Sequence, residues 1–89
     1  MPDTETPPVL QAAIESWEAA SRRLRSADAA RIVAWRRYAP MSDTYVRSAP
    51  YRRRWIKAAN KHRASVMAER EAMWCVVRIA RLFTVDAIV

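Results

Sequence analysis

Apolar residues recur through most of the chain at steps of three and four positions, the period of an amphipathic α-helix. The first stripe lies between Val9 and Tyr38 and contains Leu10, Ala13, Ile14, Trp17, Ala20, Leu24, Ala27 and Trp35. The second stripe is apolar except at His62 and Glu69. It contains Tyr51, Trp55, Ala59, His62, Val66, Glu69, Met73, Val76, Val77, Ala80 and Phe83. The pattern therefore predicts an all-α protein built from two long helices.

Prolines and small polar residues predict where these helices begin and end. Pro8 is typical of a first helical turn, and Pro40 disfavours helical geometry at the residue before it. Ser48 is a plausible N-cap, with Pro50 in the turn that follows. We predict a disordered tail over 1–7 and a single helical-hairpin domain over 8–89. Its parts are helix one over about 8–39, a connection over about 40–48, and helix two over about 49–84.

A short connection between two long helices predicts an antiparallel hairpin in which facing positions sum to roughly 90. This register pairs Trp35 with Trp55 and Asp28 with His62. The polar residues that interrupt the two stripes then meet one another instead of facing aliphatic side chains. The agreement favours the hairpin and predicts a polar layer at its middle.

Glu69 is the other polar residue on the second stripe, and the same register places it near Ser21. Arg25 and Arg31 are alternative partners for its carboxylate. The sequence leaves this choice open.

Composition excludes several classes of protein. The 89 residues include no glycine, so the phosphate-cradling loops of P-loop and Rossmann proteins are excluded. Cys75 is the only cysteine, which rules out an intrachain disulfide and a cysteine-based metal site. The N-terminus does not resemble a signal peptide, and no apolar run reaches the length of a spanning helix. We expect a cytoplasmic protein.

The residues that could carry catalysis are few and scattered. We interpret His62 as a structural histidine paired with Asp28, and Cys75 as a packing or interface residue without a base to activate its thiol. Glu69 and Glu71 flank Arg70, which is typical of a solvated surface. We expect no enzymatic activity, no catalytic residue, no cofactor, no metal and no small-molecule substrate.

Charge is concentrated around the predicted connection. The chain carries 16 basic and nine acidic residues, for a net charge of +7. No acidic residue lies between Asp43 and Glu69, while Tyr45, Tyr51 and Trp55 lie among the arginines. The alternative is a solvated face whose arginines keep the protein soluble. The predicted site for nucleic acid or an acidic partner contains Arg36, Arg37, Arg47, Arg52, Arg53, Arg54, Lys57, Lys61 and Arg63.

The C-terminal segment is apolar on nearly every side from Met73 onward, and one neighbouring helix cannot cover it. We favour self-association into a four-helix bundle. A different protein partner and a membrane surface are the alternatives, and the narrow polar face makes the membrane the weakest of them. The predicted oligomer interface contains Trp74, Cys75, Ile79, Leu82, Phe83, Val85 and Ile88.

Together these features favour a non-enzymatic helical protein that oligomerises through its C-terminal end and binds nucleic acid non-specifically with an Arg-rich tip. No helix-turn-helix, zinc-finger or basic-zipper pattern indicates readout of base sequence. The competing hypothesis is a protein–protein assembly or inhibitor module, such as a small phage-encoded protein, that docks the same tip on an acidic protein surface.

Overall fold

A computed structural model describes residues 6–43 and 45–88, with the side chains of 6–43 and 47–83. Helix α1 spans Pro8–Tyr38, a 3₁₀ turn follows at Ala39–Met41, and helix α2 spans Tyr45–Ile88. The two helices pack against each other as a hairpin, and the described residues include no strand. The predicted all-α hairpin is therefore confirmed, while residues 1–5 of the predicted tail lie outside the described ranges.

The connection is shorter than the sequence predicts. Helix α2 begins at Tyr45 and not near residue 49, so Pro50 lies inside the helix and Ser48 is not its N-cap. Proline in a helix interior removes one backbone hydrogen bond, which is why the sequence favoured a later start. Ser48 is only 3% exposed, so the turn before Pro50 is packed against the rest of the hairpin. We attribute the longer helix to this packing.

The predicted register is confirmed by contacts along the hairpin. The rings of Trp35 and Trp55 lie 5.0 Å apart between centroids, and Tyr38 stacks on Trp55 at 5.5 Å. His62 Nε2 lies 3.4 Å from Asp28 Oδ1. Both cross-helix pairs predicted from positions summing to 90 are thus present.

The partner of Glu69 differs from the candidates named from the sequence. Trp17 Nε1 donates a hydrogen bond of 2.9 Å to Glu69 Oε1, a part-buried contact between α1 and α2. The apolar stripe marked Trp17 as a core residue, and its indole N–H gives it this second role. Arg31 instead donates to Asp28, one turn earlier on its own helix, at 2.7 Å.

The hairpin has little sealed core. Among the described residues only Ala20 and Ala27 are buried apolar residues, and no large side chain is fully buried. The molecule measures 65 × 23 × 14 Å, with a radius of gyration of 19.8 Å. A compact chain of this length would have a radius of gyration of about 12 Å. The fold is therefore a thin rod whose helices approach closely at alanines.

Helix α2 has 44 residues, long enough to cross a bilayer if it were apolar throughout. Charged residues interrupt it too often for that. None of the described helices has an apolar window that could span a membrane.

Candidate nucleic-acid interface

All nine basic residues of the predicted site have exposed side chains. Arg36 and Arg37 are in the last turn of α1, and the other seven lie in the first 19 residues of α2. The hairpin brings both groups into the same half of the rod, from the polar layer to the end near the connection, and we call that end the tip. The structure thus gathers these charges in one half of the rod, where a polyanion could reach them.

The charge difference between the two halves of the rod is large. Residues 27–63, which form the half that includes the tip, contain ten basic and two acidic residues. The remaining residues contain six basic and seven acidic ones. The tip half therefore has a formal charge of +8, more than the +7 of the whole chain, and the remaining residues have −1.

Aromatic side chains lie among the tip arginines. The Arg54 guanidinium is 5.7 Å from the centre of the Tyr51 ring, within cation–π distance. Trp35 is 45% exposed although it contacts Tyr38 and Trp55, so one part of this aromatic cluster faces solvent. The side chain of Tyr45 lies outside the described residues. Exposed aromatic rings beside arginines can stack on bases while the guanidinium groups contact phosphates.

A groove of about 360 Å³ opens between the helices at the tip, and its surface is mostly apolar. Helix α1 supplies small apolar residues and α2 supplies Tyr51, while one arginine from each helix lies at the edge. We call it the tip groove, and its lining is Ala29, Ala30, Val33, Ala34, Arg37, Tyr51 and Arg54. Sequence reasoning missed this groove because alanines in a helix give no signal of a cavity.

The polar layer lies inside the tip half, at its border with the terminal half. Arg31 Nη2 and His62 Nε2 both contact Asp28 Oδ1, at 2.7 Å and 3.4 Å. The hydrogen bond from Arg31 lowers the pKa of Asp28 below its usual value of 3.8, against an opposing effect of desolvation. The positive charge of Arg31 also lowers the pKa of Asp28, and so does that of His62 when it is protonated. Asp28 is thus held as a carboxylate that joins α1 to α2.

This arrangement predicts how stability depends on pH. The pKa of Asp28 is lower in the folded than in the unfolded state. The Asp28 carboxylate therefore stabilises the fold fully at pH values above its ordinary pKa of 3.8. That contribution is lost as the pH falls through the lowered, folded-state pKa. Urea denaturation at a series of acidic pH values should therefore show a smaller loss of stability for Asp28→Asn than for the wild type. Identical acid dependence in the two proteins would contradict this role.

At the opposite end, the predicted oligomer interface is largely uncovered. Leu82 is 68% exposed, Trp74 47% and Phe83 42%, whereas Cys75 and Ile79 are half-buried. The side chains of Val85 and Ile88 lie outside the described residues. Large apolar side chains at this exposure are typical of a surface that another chain covers.

The chain matches no family model, no curated protein and no solved structure. Its own surface chemistry is therefore the basis for a function. Within the described residues, no group of three or more His, Cys, Asp or Glu side chains is placed to hold a metal ion. The features that remain are the basic tip with its aromatic rings, the grooves between the helices, and the uncovered apolar end.

Proposed function

We propose that this protein is a non-enzymatic helical module that binds nucleic acid at its Arg-rich tip and oligomerises through its apolar C-terminal end. The single observation that supports the binding role best is the exposure of all nine predicted basic residues in one half of the rod. A charge cluster that served only solubility would have no need of the exposed Trp35 ring beside it, or of the half-buried Tyr51 ring under Arg54.

The binding mode follows from the chemistry of these side chains. Guanidinium groups donate several hydrogen bonds in a planar array and match phosphate oxygens in geometry and charge. Each phosphate neutralised at the tip releases condensed counterions, which makes the affinity fall with salt. Contacts of this kind carry no base information, so the proposed binding is sequence-independent.

The decisive test is a titration of the protein against random-sequence DNA at several salt concentrations. We expect the logarithm of the affinity to fall linearly with the logarithm of salt, with a slope near −0.9 for each phosphate contacted on duplex DNA. An absence of binding at low salt would sink the nucleic-acid proposal and favour docking on an acidic protein surface.

Oligomerisation is tested separately by light scattering on a chromatographic peak, without DNA. We expect a mass that is a multiple of the 10.3 kDa chain. A monodisperse monomer would refute self-association and leave the DNA result untouched, because the two measurements report on opposite ends of the rod.

A further inference from the structure

The tip groove has an apolar surface bordered by two positive charges, and this combination restricts what can occupy it. Val33, which lines the groove, is 47% exposed, and Arg37 and Arg54 lie at the edges, one on each helix. An apolar segment of a protein would cover the alkyl surface, but it would remove water from both guanidinium groups without supplying a negative charge. The occupant that fits is a flat apolar group with an anionic group attached close to it.

A nucleobase with its phosphate meets this description. The groove volume of about 360 Å³ lies at the lower end of the roughly 300–1,000 Å³ that small-molecule sites occupy, so it suits one small planar group. Tyr51 contributes an aromatic ring to the wall, and the Arg54 guanidinium lies 5.7 Å from the centre of that ring. Aromatic rings and guanidinium planes are the surfaces on which proteins stack the bases of single strands.

Positive charges continue from the groove along the same side of α2. Arg54, Lys57 and Lys61 recur at steps of three and four, so they share one side of the helix. Lys61 lines a second groove of about 270 Å³, which meets the tip groove at Ala30 and includes Arg23 of α1. A free nucleotide would leave Lys57 and Lys61 without a phosphate, whereas the backbone of a strand can follow the whole row.

We propose that the tip half binds single-stranded nucleic acid, with one unstacked base in the tip groove and the strand backbone along Arg54, Lys57 and Lys61. The inference rests on the proposed function and specifies which form of nucleic acid is preferred. In a duplex every base is paired and stacked, so filling the groove would first require the extraction of a base, which costs free energy. A single strand presents its bases without that cost.

Charge alone predicts the opposite preference. Duplex DNA carries one negative charge for about every 1.7 Å of its axis, about twice the charge density of one of its strands. A purely electrostatic surface therefore binds the duplex more tightly. A preference for the single strand requires contacts with the bases, and this difference separates the inference from the proposed function, which either form would satisfy.

The test compares three probes of equal length by fluorescence anisotropy at one salt concentration. They are an oligothymidylate of about ten nucleotides, a sugar–phosphate strand without bases, and a random-sequence duplex. The two single strands carry the same phosphates, so their affinities differ only through the bases. We expect the oligothymidylate to bind at least about tenfold more tightly than the strand without bases, as for one stacked base, and also more tightly than the duplex.

Each result decides the inference. Equal affinities for the two single strands would overturn it, because the bases would then contribute nothing to binding. Duplex binding as tight as that of the oligothymidylate would overturn it as well and would leave the proposed nucleic-acid binding intact. Failure of all three probes to bind would overturn the inference together with the proposed function.

Tyr51→Leu tests the position of the base. Leucine keeps an apolar side chain at this half-buried position but removes the ring, so the ratio of the two single-strand affinities should fall from at least about tenfold to near one. Partial unfolding would weaken both strands equally and would leave the ratio unchanged. Tyr51→Phe keeps the ring and should keep the ratio. An unchanged ratio in Tyr51→Leu would overturn the placement of the base in the tip groove.

A second variant fills the groove without removing the ring. Ala30 is exposed and lines both grooves, so Ala30→Leu should narrow the space for the base and lower the same ratio severalfold. Ala64→Leu is the matched control, because Ala64 is exposed on α2 and lines neither groove. Equal ratios in these two variants would show that the strand binds without entering the tip groove.

Discussion

Simultaneous replacement of Arg53, Arg54, Lys57 and Lys61 by glutamate is expected to abolish nucleic-acid binding while leaving the helical content intact. All four side chains are exposed on the tip half of α2. Loss of four phosphate contacts at low salt corresponds to a drop in affinity on the order of 10³-fold or more. The salt dependence of any residual binding should also become shallower. Filter binding or fluorescence anisotropy measures both quantities.

The matched control reverses four exposed arginines of the terminal half, namely Arg22, Arg25, Arg70 and Arg81. Each set of four reversals lowers the formal net charge by the same eight units. If affinity depends on the position of the charges, the control should retain most of its binding. Equal losses in the two variants would show that only net charge matters, and retained binding in the tip variant would show that the site lies elsewhere. Light scattering on both variants separates a binding defect from dissociation of the oligomer.

The largest effect on stability is expected from Ala20→Leu. Ala20 is 7% exposed on the side of α1 that packs on α2, and leucine adds three carbon atoms at this closely packed position. Overpacking of this kind costs about 1–3 kcal/mol. That is a large share of the stability of a small domain. Urea denaturation followed by circular dichroism should show a lower midpoint.

Ala12→Leu serves as the control, because Ala12 is exposed on the same helix and its replacement needs no rearrangement. Its midpoint should stay close to that of the wild type, since alanine and leucine have similar helix propensities. Equal midpoints for the two variants would contradict the close approach of the helices at Ala20.

The sequence predicted the hairpin and its register well, for a specific physical reason. Asp28 and His62 are polar residues on otherwise apolar stripes, and a buried polar group needs a partner. Trp35 and Trp55 are similarly informative because their rings are large. The same argument left the partner of Glu69 open among three candidates, and the structure gives a fourth, Trp17.

Two other features could not be read from the sequence. The start of α2 at Tyr45 depends on tertiary burial of Ser48, which outweighs the local preference of Pro50. The tip groove depends on the spacing between two helices. The alanines that line it indicate a helix by their high helix propensity, but they do not indicate how far away the neighbouring helix lies. The nine basic residues were easier to predict, because their placement requires only the hairpin and a polar side of each helix.

Pro50 lies inside α2, and this has a consequence for how the protein opens. Proline has no N–H, so the Val46 carbonyl receives no hydrogen bond from the residue four positions later. The segment 45–49 is therefore joined to the rest of α2 by one backbone bond fewer than a regular turn. Its separate opening is opposed by the burial of Ser48, which is only 3% exposed, so we expect this turn to unfold together with the hairpin and not ahead of it. Arg47 is thus held at the tip by a buried neighbour on its own turn.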